Sequence, residues 1–356
     1  MPYQSGGQQL YVHELNKIAL GMGYDALVIQ PDRGVPLPDG VISTPSARGI
    51  RRISPHASWF WFTAALLLHR KLIKNATVVI SHYPFHYPGI PSEARTVVLS
   101  HGVDWPEQPT RFTDKYKYWI ARKCTIEKVP LVANDTEYLR RVGITDKHAH
   151  EPFSMVNDFA WYIPNAVDPQ QYKECGSMRD NIILVPRNIR KSRGIHLAIE
   201  AYAVYRNAGG SKRMIIAGGS TAGPYYSQCL SRIAQLKLQE YIEFIGEVEH
   251  RKMLELYQRA AITLIPTIAF EGTSYSALEA MACASPTVTT RVGGLSDLPG
   301  LKCDANAHSM AEALLVVEQD LITHGKLQRQ AVVEGFDIVN WRAAWRRVLE
   351  WRLSLR

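Results

Sequence analysis

The chain has few cysteines, and they show no pattern that would pair them or assemble a metal site. The five are scattered and odd in number: Cys124, Cys175, Cys229, Cys283 and Cys303. No two of them stand two residues apart, so the sequence argues against a disulfide framework and against a structural zinc. Unpaired cysteines favour a reducing compartment, and we expect a cytoplasmic protein.

Long hydrophobic runs are also missing. The longest apolar stretch, Ala57 to Leu68, is interrupted by Ser58 and Thr63 and is too short to cross a bilayer. The first residues, Met1 to Gly7, lack the basic region and apolar run of a secretory signal peptide. We therefore expect neither a membrane-spanning nor a secreted protein.

Several fingerprints of enzymes and nucleic-acid-binding modules are absent. No G-x-G-x-x-G follows a strand, which weakens a dehydrogenase interpretation, and no P-loop motif is present. His13-Glu14 lacks the second histidine of a zincin motif. No nucleic-acid module is visible, so we expect no nucleic-acid partner. The excess of 41 basic over 33 acidic residues, a formal charge of +8, suits phosphorylated substrates, lipid surfaces or nucleic acid without choosing among them.

What the chain does contain is a repeated alternation of strand and helix patterns. At 356 residues it is about two domains long. The second half has strand-like runs at Ile182–Val185, Met214–Ala217, Ile242–Ile245, Ile262–Ile265 and Thr287–Thr289. Nearly continuous apolar strands separated by helices indicate a parallel sheet covered on both faces.

The first half repeats this scheme less regularly. Its strand-like runs are Ala26–Ile29, Val78–Ile80, Val97–Ser100, Leu131–Ala133 and Trp161–Ile163. Turn-forming residues from Pro164 to Pro169 separate the halves. We predict an N-terminal domain at residues 1–168, a C-terminal domain at 179–335, and a closing helix at 336–356 that packs on the N-terminal domain.

The most informative segment runs from Phe270 to Met281, after the strand-like Ile262–Ile265. Gly272, Thr273 and Ser274 are small residues that start a helix and leave its first N–H groups open, and such a helix terminus favours a phosphate. Glu271 and Glu279 stand eight residues apart in it. Because carboxylates would repel a phosphate, the natural partners of these two are the hydroxyls of a ribose or a hexose.

This segment resembles the Glu-x7-Glu signature of retaining GT-B glycosyltransferases, in particular glycosyltransferase family 4. The resemblance implies an α/β fold of two Rossmann-like domains that face each other across a cleft. It also implies that Glu271 lies beside the donor sugar, that the amides of Gly272, Thr273 and Ser274 hold the diphosphate, and that Glu279 binds the ribose. The passage Ile163 to Asp168 is similar to the family's Ile-Pro-Asn-Gly-Val-Asp, with Ala166 in place of glycine. If Ala166 adopts a positive φ, it carries a small strain.

Two arginines are further candidates for binding the diphosphate. Arg187 and Arg193 follow a strand and precede a helix, where they would clamp a diphosphate and neutralise its charge as it leaves. The passage is similar to the family's Gly-Arg followed by Lys-Gly, but Pro186 replaces the glycine and Arg193 the lysine. One residue is also added between them, so Lys191 competes with Arg193 for the second role.

The first domain supplies two further candidates. His101 follows an apolar strand, where its ring would donate to the sugar or its phosphate, and family members carry a histidine at this place. Gly6 and Gly7, before a helical pattern, look like the family's first glycine loop. Too few residues precede them for an opening strand, so either that strand is missing because the assigned start is late, or the sheet is shortened.

Two segments admit rival interpretations. His82 and His86 have a spacing that suggests a metal, but no further ligand set is evident, and we expect neither metal nor cofactor. The segment Arg48 to Lys74 interleaves basic residues with Trp59, Phe60, Trp61 and Phe62. It is either a helix packed on the first sheet, slightly favoured here, or a surface that lies on the inner face of a membrane carrying a lipid-linked acceptor.

The resemblance thus implies a hexosyltransferase that moves a sugar from a nucleoside-diphosphate donor to a hydroxyl acceptor, in polysaccharide or glycoconjugate biosynthesis. Two alternatives stay open. Another GT-B enzyme, such as a sugar-nucleotide epimerase or a phosphorylase, would use the same diphosphate site. An inactive transferase-like subunit would support a partner instead. The departures at Pro186 and Ala166 and the short start support that alternative, whereas the intact Glu271, Glu279 and His101 argue against it.

Overall fold

The computed structural model describes residues 7–32, 37, 39–45, 57–145, 150–176 and 179–355. The chain divides into two compact units. The first contains residues 1–101, 105–163 and 340–356, and the second contains residues 102–104 and 164–339. Each unit is built around its own sheets.

The first unit holds two sheets in its described part, one parallel and one mixed. Strands β1 (Val28–Pro31) and β2 (Val41–Thr44) pair with each other. A second sheet contains β3 (Val79–Ser81), β4 (Thr96–Ser100), β5 (Leu131–Ala133), β6 (Ser154–Met155) and β7 (Ala160–Tyr162). Its order is β3-β4-β5-β7-β6, and only β6 runs antiparallel to its neighbour. The residues of β4, β5 and β7 are all buried, as expected for strands of a parallel sheet with two covered faces.

Helices flank these strands. They are α1 (Gly7–Gly21), α2 (Ala57–Ala65), α3 (Arg70–Asn75), α4 (Phe112–Ile126) and α5 (Thr136–Arg141). A 3₁₀ segment, Leu66–His69, joins α2 to α3, and another covers Pro84–Gly89. The sequence pattern predicts an opening strand or its loss before Gly7, and that question lies outside the described residues, as does Gly6.

The second unit has one six-stranded parallel sheet. Its strands are β8 (Asp180–Pro186), β9 (Arg213–Ala217), β10 (Ile242–Gly246), β11 (Ala260–Ile265), β12 (Thr287–Thr290) and β13 (Leu301–Cys303). They lie in the order β10-β9-β8-β11-β12-β13. Renumbered from the first strand, this is 3-2-1-4-5-6, the order of a Rossmann sheet. The direction of winding reverses between β8 and β11, and ligands of such sheets bind where the strands on either side of that point end.

Helices cover both faces of this sheet. They are α6 (Ile195–Asn207), α7 (Pro224–Gln235), α8 (His250–Arg259), α9 (Tyr275–Ala282), α10 (Ala307–Gln319) and α11 (Leu321–Gly335). Successive strand residues point to opposite faces. Ile183 and Val185 accordingly join the core under α6 and α10, whereas Leu184 joins the core under α8, α9 and α11.

The last helix, α12 (Ile338–Ser354), packs in the first unit from Asn340 onward. The indole of Trp345 donates to the hydroxyl of Tyr11 at 2.9 Å, and Arg342 pairs with Glu14 at 2.6 Å. Both Trp341 and Trp345 are almost fully buried. No helix in the described part of the chain combines the length and apolar character needed to cross a bilayer.

Arg179 fixes the end of the segment that joins the two units. Arg179 donates to the backbone oxygens of Tyr257, Gln258, Ala260 and Cys283, at 2.7 to 3.1 Å. These oxygens belong to the end of α8, the start of β11 and the end of α9. Ala166 does not adopt a positive φ, so the strain considered for that position does not arise.

Candidate functional site

The loops after β8 and β11 meet at the point where the sheet reverses its winding. The backbone N–H of Ile268 donates to the oxygen of Ser192 at 3.0 Å and ties the two loops together. Gly194 lies in the left-handed region, with φ of 72°, and a Cβ there would stand 1.8 Å from the oxygen of Pro266. Only a glycine fits this approach. It also starts α6, so the helix and the loop crossing are set by the same residue.

This crossing brings Arg187, Arg193 and Glu271 together. Arg187 follows β8 and is 8% exposed, and its Nη2 lies 3.2 Å from Glu271 Oε2 and 3.0 Å from the hydroxyl of Thr267. Arg193 ends the 3₁₀ turn Lys191–Arg193 and pairs with the same carboxylate oxygen. Two guanidinium groups therefore share one carboxylate, which leaves the cluster with one net positive charge.

Burial has a marked effect on both arginines. It lowers the pKa of Arg187 to about 10. Burial, together with repulsion from Arg187 and Arg190, lowers the pKa of Arg193 to about 9. Cations held away from water in this way gain stabilisation from an anionic ligand, because the ligand replaces the lost hydration.

Glu271 is held by its backbone as well as by its side chain. The preceding Phe270 has φ of 59°, an uncommon conformation for a residue with a side chain. The N–H of Gly294 donates to the Glu271 oxygen at 2.9 Å. Gly293 has φ of 52°, and a Cβ there would lie 2.1 Å from that oxygen. The loop after β12 thus packs directly on Glu271, a contact that sequence analysis missed.

Helix α9 begins at Tyr275, later than the start at Gly272 predicted from sequence, so Glu279 lies just over one turn into it. Ser274 is the N-cap and is 2% exposed, and its hydroxyl has no hydrogen-bond partner among the described residues. The hydroxyl of Thr273 accepts from the Asn165 N–H at 2.7 Å. The first N–H groups of α9 have no partner within the helix, and the helix begins four residues after Glu271 along the chain.

Glu279 lies in a different environment from Glu271. It is 7% exposed, and its Oε1 accepts from the hydroxyl of Tyr172 at 3.1 Å. Burial raises its pKa, while the charge of His250 and hydrogen bonds from Tyr257 and Tyr172 act in the opposite direction. Sequence analysis did not single out Tyr172, which stands 107 residues away from Glu279 along the chain.

The remaining predicted residues are not all in this cluster. Lys191 is exposed in the 3₁₀ turn, and the residue that contacts Glu271 is its competitor Arg193. Gly7 is exposed at the start of α1. His101 follows β4 in the first unit and lies 3.1 Å from the Nδ1 of His82 through its Nε2. Burial, with the charge of His82, lowers the pKa of His101 to about 3, so its ring is neutral at physiological pH.

The two histidines considered for a metal do not face each other. His82 stacks on His101, whereas the Nδ1 of His86 lies 2.8 Å from the hydroxyl of Thr63. Burial lowers the pKa of each to about 4. Within the described residues, no group of three histidine, cysteine, aspartate or glutamate side chains is arranged to hold a metal ion.

Comparison with known proteins places this cluster in a recognised domain. Residues 170–320 match the family described as glycosyl transferases group 1. The chain is similar to mannosylfructose-phosphate synthase of Agrobacterium fabrum (strain C58 / ATCC 33970), with 22% identity over 205 residues, which are 54% of this chain and 45% of that protein. The chain matches less than half the length of the synthase and of two other curated relatives, with 13% to 45% of each relative covered.

Solved structures resemble the chain over almost its whole length. Sucrose-phosphate synthase (tll1590) from Thermosynechococcus elongatus has a TM-score of 0.73 at 16% identity, covering 95% of this chain and 91% of that one. Anabaena Alr3699/HepE, solved in complex with UDP and glucose, has a TM-score of 0.69 at 16% identity, covering 95% and 94%. The chain therefore has the GT-B fold with its two Rossmann-like domains, and its residues 170–320 are similar to the glycosyl transferases group 1 family.

Proposed function

We propose that the protein is a retaining glycosyltransferase of family 4, which moves a hexose from a nucleoside-diphosphate sugar to a hydroxyl acceptor in polysaccharide or glycoconjugate synthesis. Arg187 and Arg193 bind the diphosphate together with the N–H groups of Gly272, Thr273 and Ser274. Glu271 lies beside the donor sugar, and Glu279 accepts hydrogen bonds from the ribose. The proposed reaction requires no metal.

One observation carries this proposal. At the reversal point of a Rossmann-ordered sheet, the buried guanidinium group of Arg187 and the partly exposed one of Arg193 both pair with the first glutamate of the Glu-x7-Glu segment, four residues before α9 begins. Within the part of the chain that the structure describes, the buried Nε of Arg187 and the buried hydroxyl of Ser274 both lack a hydrogen-bond partner. Unsatisfied buried donors of this kind are groups that an oxyanion ligand could satisfy.

The charges support a role in leaving-group stabilisation. In front-face displacement the leaving diphosphate helps to deprotonate the incoming hydroxyl, so negative charge develops on phosphate oxygens. Preorganised cations and helix N–H groups stabilise such charge without reorganising at the moment of reaction. Arg187 is held by Thr267 and Glu271, and that preorganisation favours transfer over simple storage of a ligand.

The test uses binding first and turnover second. UDP, ADP and GDP are each added in thermal unfolding experiments, and the nucleotide that is bound raises the unfolding temperature. The corresponding sugar nucleotides are then assayed for donor turnover, with and without a hydroxyl acceptor. We expect Glu271→Gln to lower acceptor-dependent turnover by about two orders of magnitude.

Glu243→Gln is the matched control, because Glu243 lies in the same sheet but is paired with Arg213 on the surface. Binding of no nucleoside diphosphate, or full turnover in the Glu271→Gln variant, would contradict the proposal. Donor turnover that is independent of acceptor would favour an epimerase. Phosphate-dependent turnover would favour a phosphorylase, and binding without any turnover would favour an inactive partner subunit.

A lipid-linked acceptor and contact with the inner face of a membrane form the finer part of the proposal. Trp59, Phe60 and Phe62 pack against other aromatic rings of the first unit, which supports the packed-helix interpretation for α2. The following residues are different, because Leu67 and Leu68 are 59% and 70% exposed. Arg48, Arg51 and Arg52 lie outside the described residues.

Helix α4 exposes a second apolar and basic surface. Phe112, Trp119 and Ile126 are 74%, 54% and 73% exposed, and they alternate with the exposed Lys115 and Lys123 along the helix. Aromatic rings with lysines are suited to a lipid interface. We expect the protein to float with vesicles that contain anionic lipid and Trp119→Ser to bind them less, whereas equal binding by both proteins would argue against this contact.

A further inference from the structure

Glu279, the proposed ribose ligand, is held by a residue from the segment that joins the two units. Tyr172 lies between Asp168 and Arg179 and is 4% exposed. Its hydroxyl stands 3.1 Å from Glu279 Oε1 and 2.6 Å from His250 Nε2. Three polar groups from the joining segment, α8 and α9 therefore form one chain of hydrogen bonds.

The protons of this chain can be assigned. A phenol carries one proton, and an ionised carboxylate can only accept. Tyr172 therefore donates to Glu279 when the glutamate is ionised, and its oxygen accepts from the Nε2–H of His250. Burial and the nearby charge of Glu279 raise the pKa of Tyr172, so the phenol keeps its proton.

The ring of Tyr172 is itself fixed. It belongs to the apolar core under α8, α9 and α11. Its N–H donates to the oxygen of Asp168 at 2.9 Å, and its own backbone oxygen accepts from Arg329 at 3.1 Å. Arg329 also donates to the oxygen of Ala282 at the end of α9. The phenol is thus anchored to the same helix that carries Glu279.

We propose that Tyr172 is a positioning residue for nucleotide binding, which orients the Glu279 carboxylate toward the vicinal hydroxyls of a ribonucleoside diphosphate, and that His250 orients the phenol in turn. This inference rests on the proposed function, because it requires Glu279 to bind a ribose. A carboxylate with one oxygen held by a phenol keeps a single orientation, and a diol needs that orientation to form two hydrogen bonds. The joining segment thereby becomes part of the nucleotide site.

The experiment compares ribose with dideoxyribose. Dissociation constants are measured by titration calorimetry for UDP, ADP and GDP and for their 2′,3′-dideoxy counterparts, with the wild-type protein and Tyr172→Phe. We expect the variant to bind the preferred ribonucleotide about tenfold more weakly and to bind its dideoxy counterpart as the wild type does. A purely structural role for Tyr172 would weaken both ligands equally.

Tyr205→Phe is the matched control, since Tyr205 is buried in the same unit and its hydroxyl donates to Glu318 at 2.7 Å. We expect this variant to keep the wild-type ribose preference. His250 is exposed, and His250→Ala should reduce the preference for ribose over dideoxyribose as Tyr172→Phe does. If Tyr172→Phe does not fold, His250→Ala is used in its place.

The outcomes separate this inference from the proposed function. If the wild type binds no nucleoside diphosphate, the proposed function fails. If it binds ribonucleotides and Tyr172→Phe leaves the ribose preference intact, the inference is overturned while the proposed function stands. An equal loss for ribose and dideoxyribose ligands also overturns it, because Tyr172 then supports the fold and not the orientation of Glu279.

Discussion

The two glutamates of the second unit are equally buried, yet their surroundings have opposite character. Glu271 is 9% exposed and is paired with two guanidinium groups. Glu279 is 7% exposed and is surrounded by phenols and an imidazole, with no arginine or lysine among the partners that shift its pKa. The first carboxylate is paired with two arginines, whereas the second is stabilised by the charge of His250 and by hydrogen bonds from two phenols, which leave its pKa raised by burial.

This difference separates two tasks within one short segment. A carboxylate between two cations stays ionised and keeps those cations in place, which suits a site that must receive a diphosphate. A buried carboxylate without an arginine or lysine partner keeps part of its desolvation cost, so further hydrogen bonds from a ligand would stabilise its ionised form more. The spacing of the two residues along the chain does not reveal this distinction.

The largest expected effect comes from removing a cation beside Glu271. In Arg187→Met the carboxylate keeps Arg193 but loses its buried partner, so we expect about 3 kcal/mol lower free energy of unfolding and at least a hundredfold loss of donor turnover. Urea denaturation and a turnover assay measure the two effects. Arg213→Met is the control, because Arg213 and Glu243 are 59% and 55% exposed and such a pair contributes about 0.5 kcal/mol. Equal effects of the two substitutions would contradict the assignment of Arg187.

A smaller effect is expected from the backbone contact on Glu271. In Gly293→Ala a methyl group would collide with the Glu271 oxygen in addition to the strain of a positive φ, so we expect about 2 kcal/mol of destabilisation and about tenfold lower turnover. Gly209→Ala isolates the strain alone, because Gly209 also has a positive φ but nothing lies within 4 Å of its added Cβ. If both variants behave alike in thermal unfolding and turnover, the packing of this loop on Glu271 is unimportant.

The smallest expected effect is on the pH dependence of stability, to which Glu279 and Glu14 contribute with opposite signs. Burial raises the pKa of Glu279, so its contribution to stability is fully present below the unfolded-state pKa of about 4.3 and is lost as the pH rises through the folded value. Burial of Glu14 also opposes ionisation, but hydrogen bonds from Lys17 and Arg342 outweigh it and lower the pKa. The contribution of Glu14 is therefore lost as the pH falls below about 4.3.

The free energy of unfolding is measured for the wild type, Glu279→Gln and Glu14→Gln at pH values from about 3.5 to about 8, in steps of roughly half a pH unit. The stability of the wild type relative to Glu279→Gln should decrease as the pH rises above about 4.3, and that relative to Glu14→Gln should decrease below it. The same slope for both variants would remove the contrast between a carboxylate whose pKa is raised by burial and one whose pKa is lowered by its cationic partners.

The strands of the second half could be predicted to within two residues because they are continuous apolar runs in a sheet with two covered faces. β13 was missed because it is three residues long with Lys302 at its centre. That lysine is largely buried and donates to the hydroxyl of Thr289 and to two backbone oxygens. A sequence pattern does not reveal three acceptors that come from other elements.

Some contacts of the candidate site could likewise be predicted from the sequence, and others could not. The meeting of Arg187, Arg193 and Glu271 followed from the rule that parallel strands end at one edge of a sheet. The start of α9, the packing of Gly293 on Glu271 and the partnership of His82 with His101 did not follow, because each depends on contacts between distant residues. Tyr172 shows the limit most clearly, since its surroundings in sequence are those of an ordinary turn.

The contacts of Arg179 limit where a C-terminal fragment of this protein can begin. Its guanidinium satisfies four backbone oxygens at the ends of three elements, so a C-terminal fragment that begins after it would leave those oxygens without their donor. A cut just before Arg179 would preserve that contact but remove Tyr172. A fragment intended to bind nucleotide on its own should therefore begin upstream of Asp168.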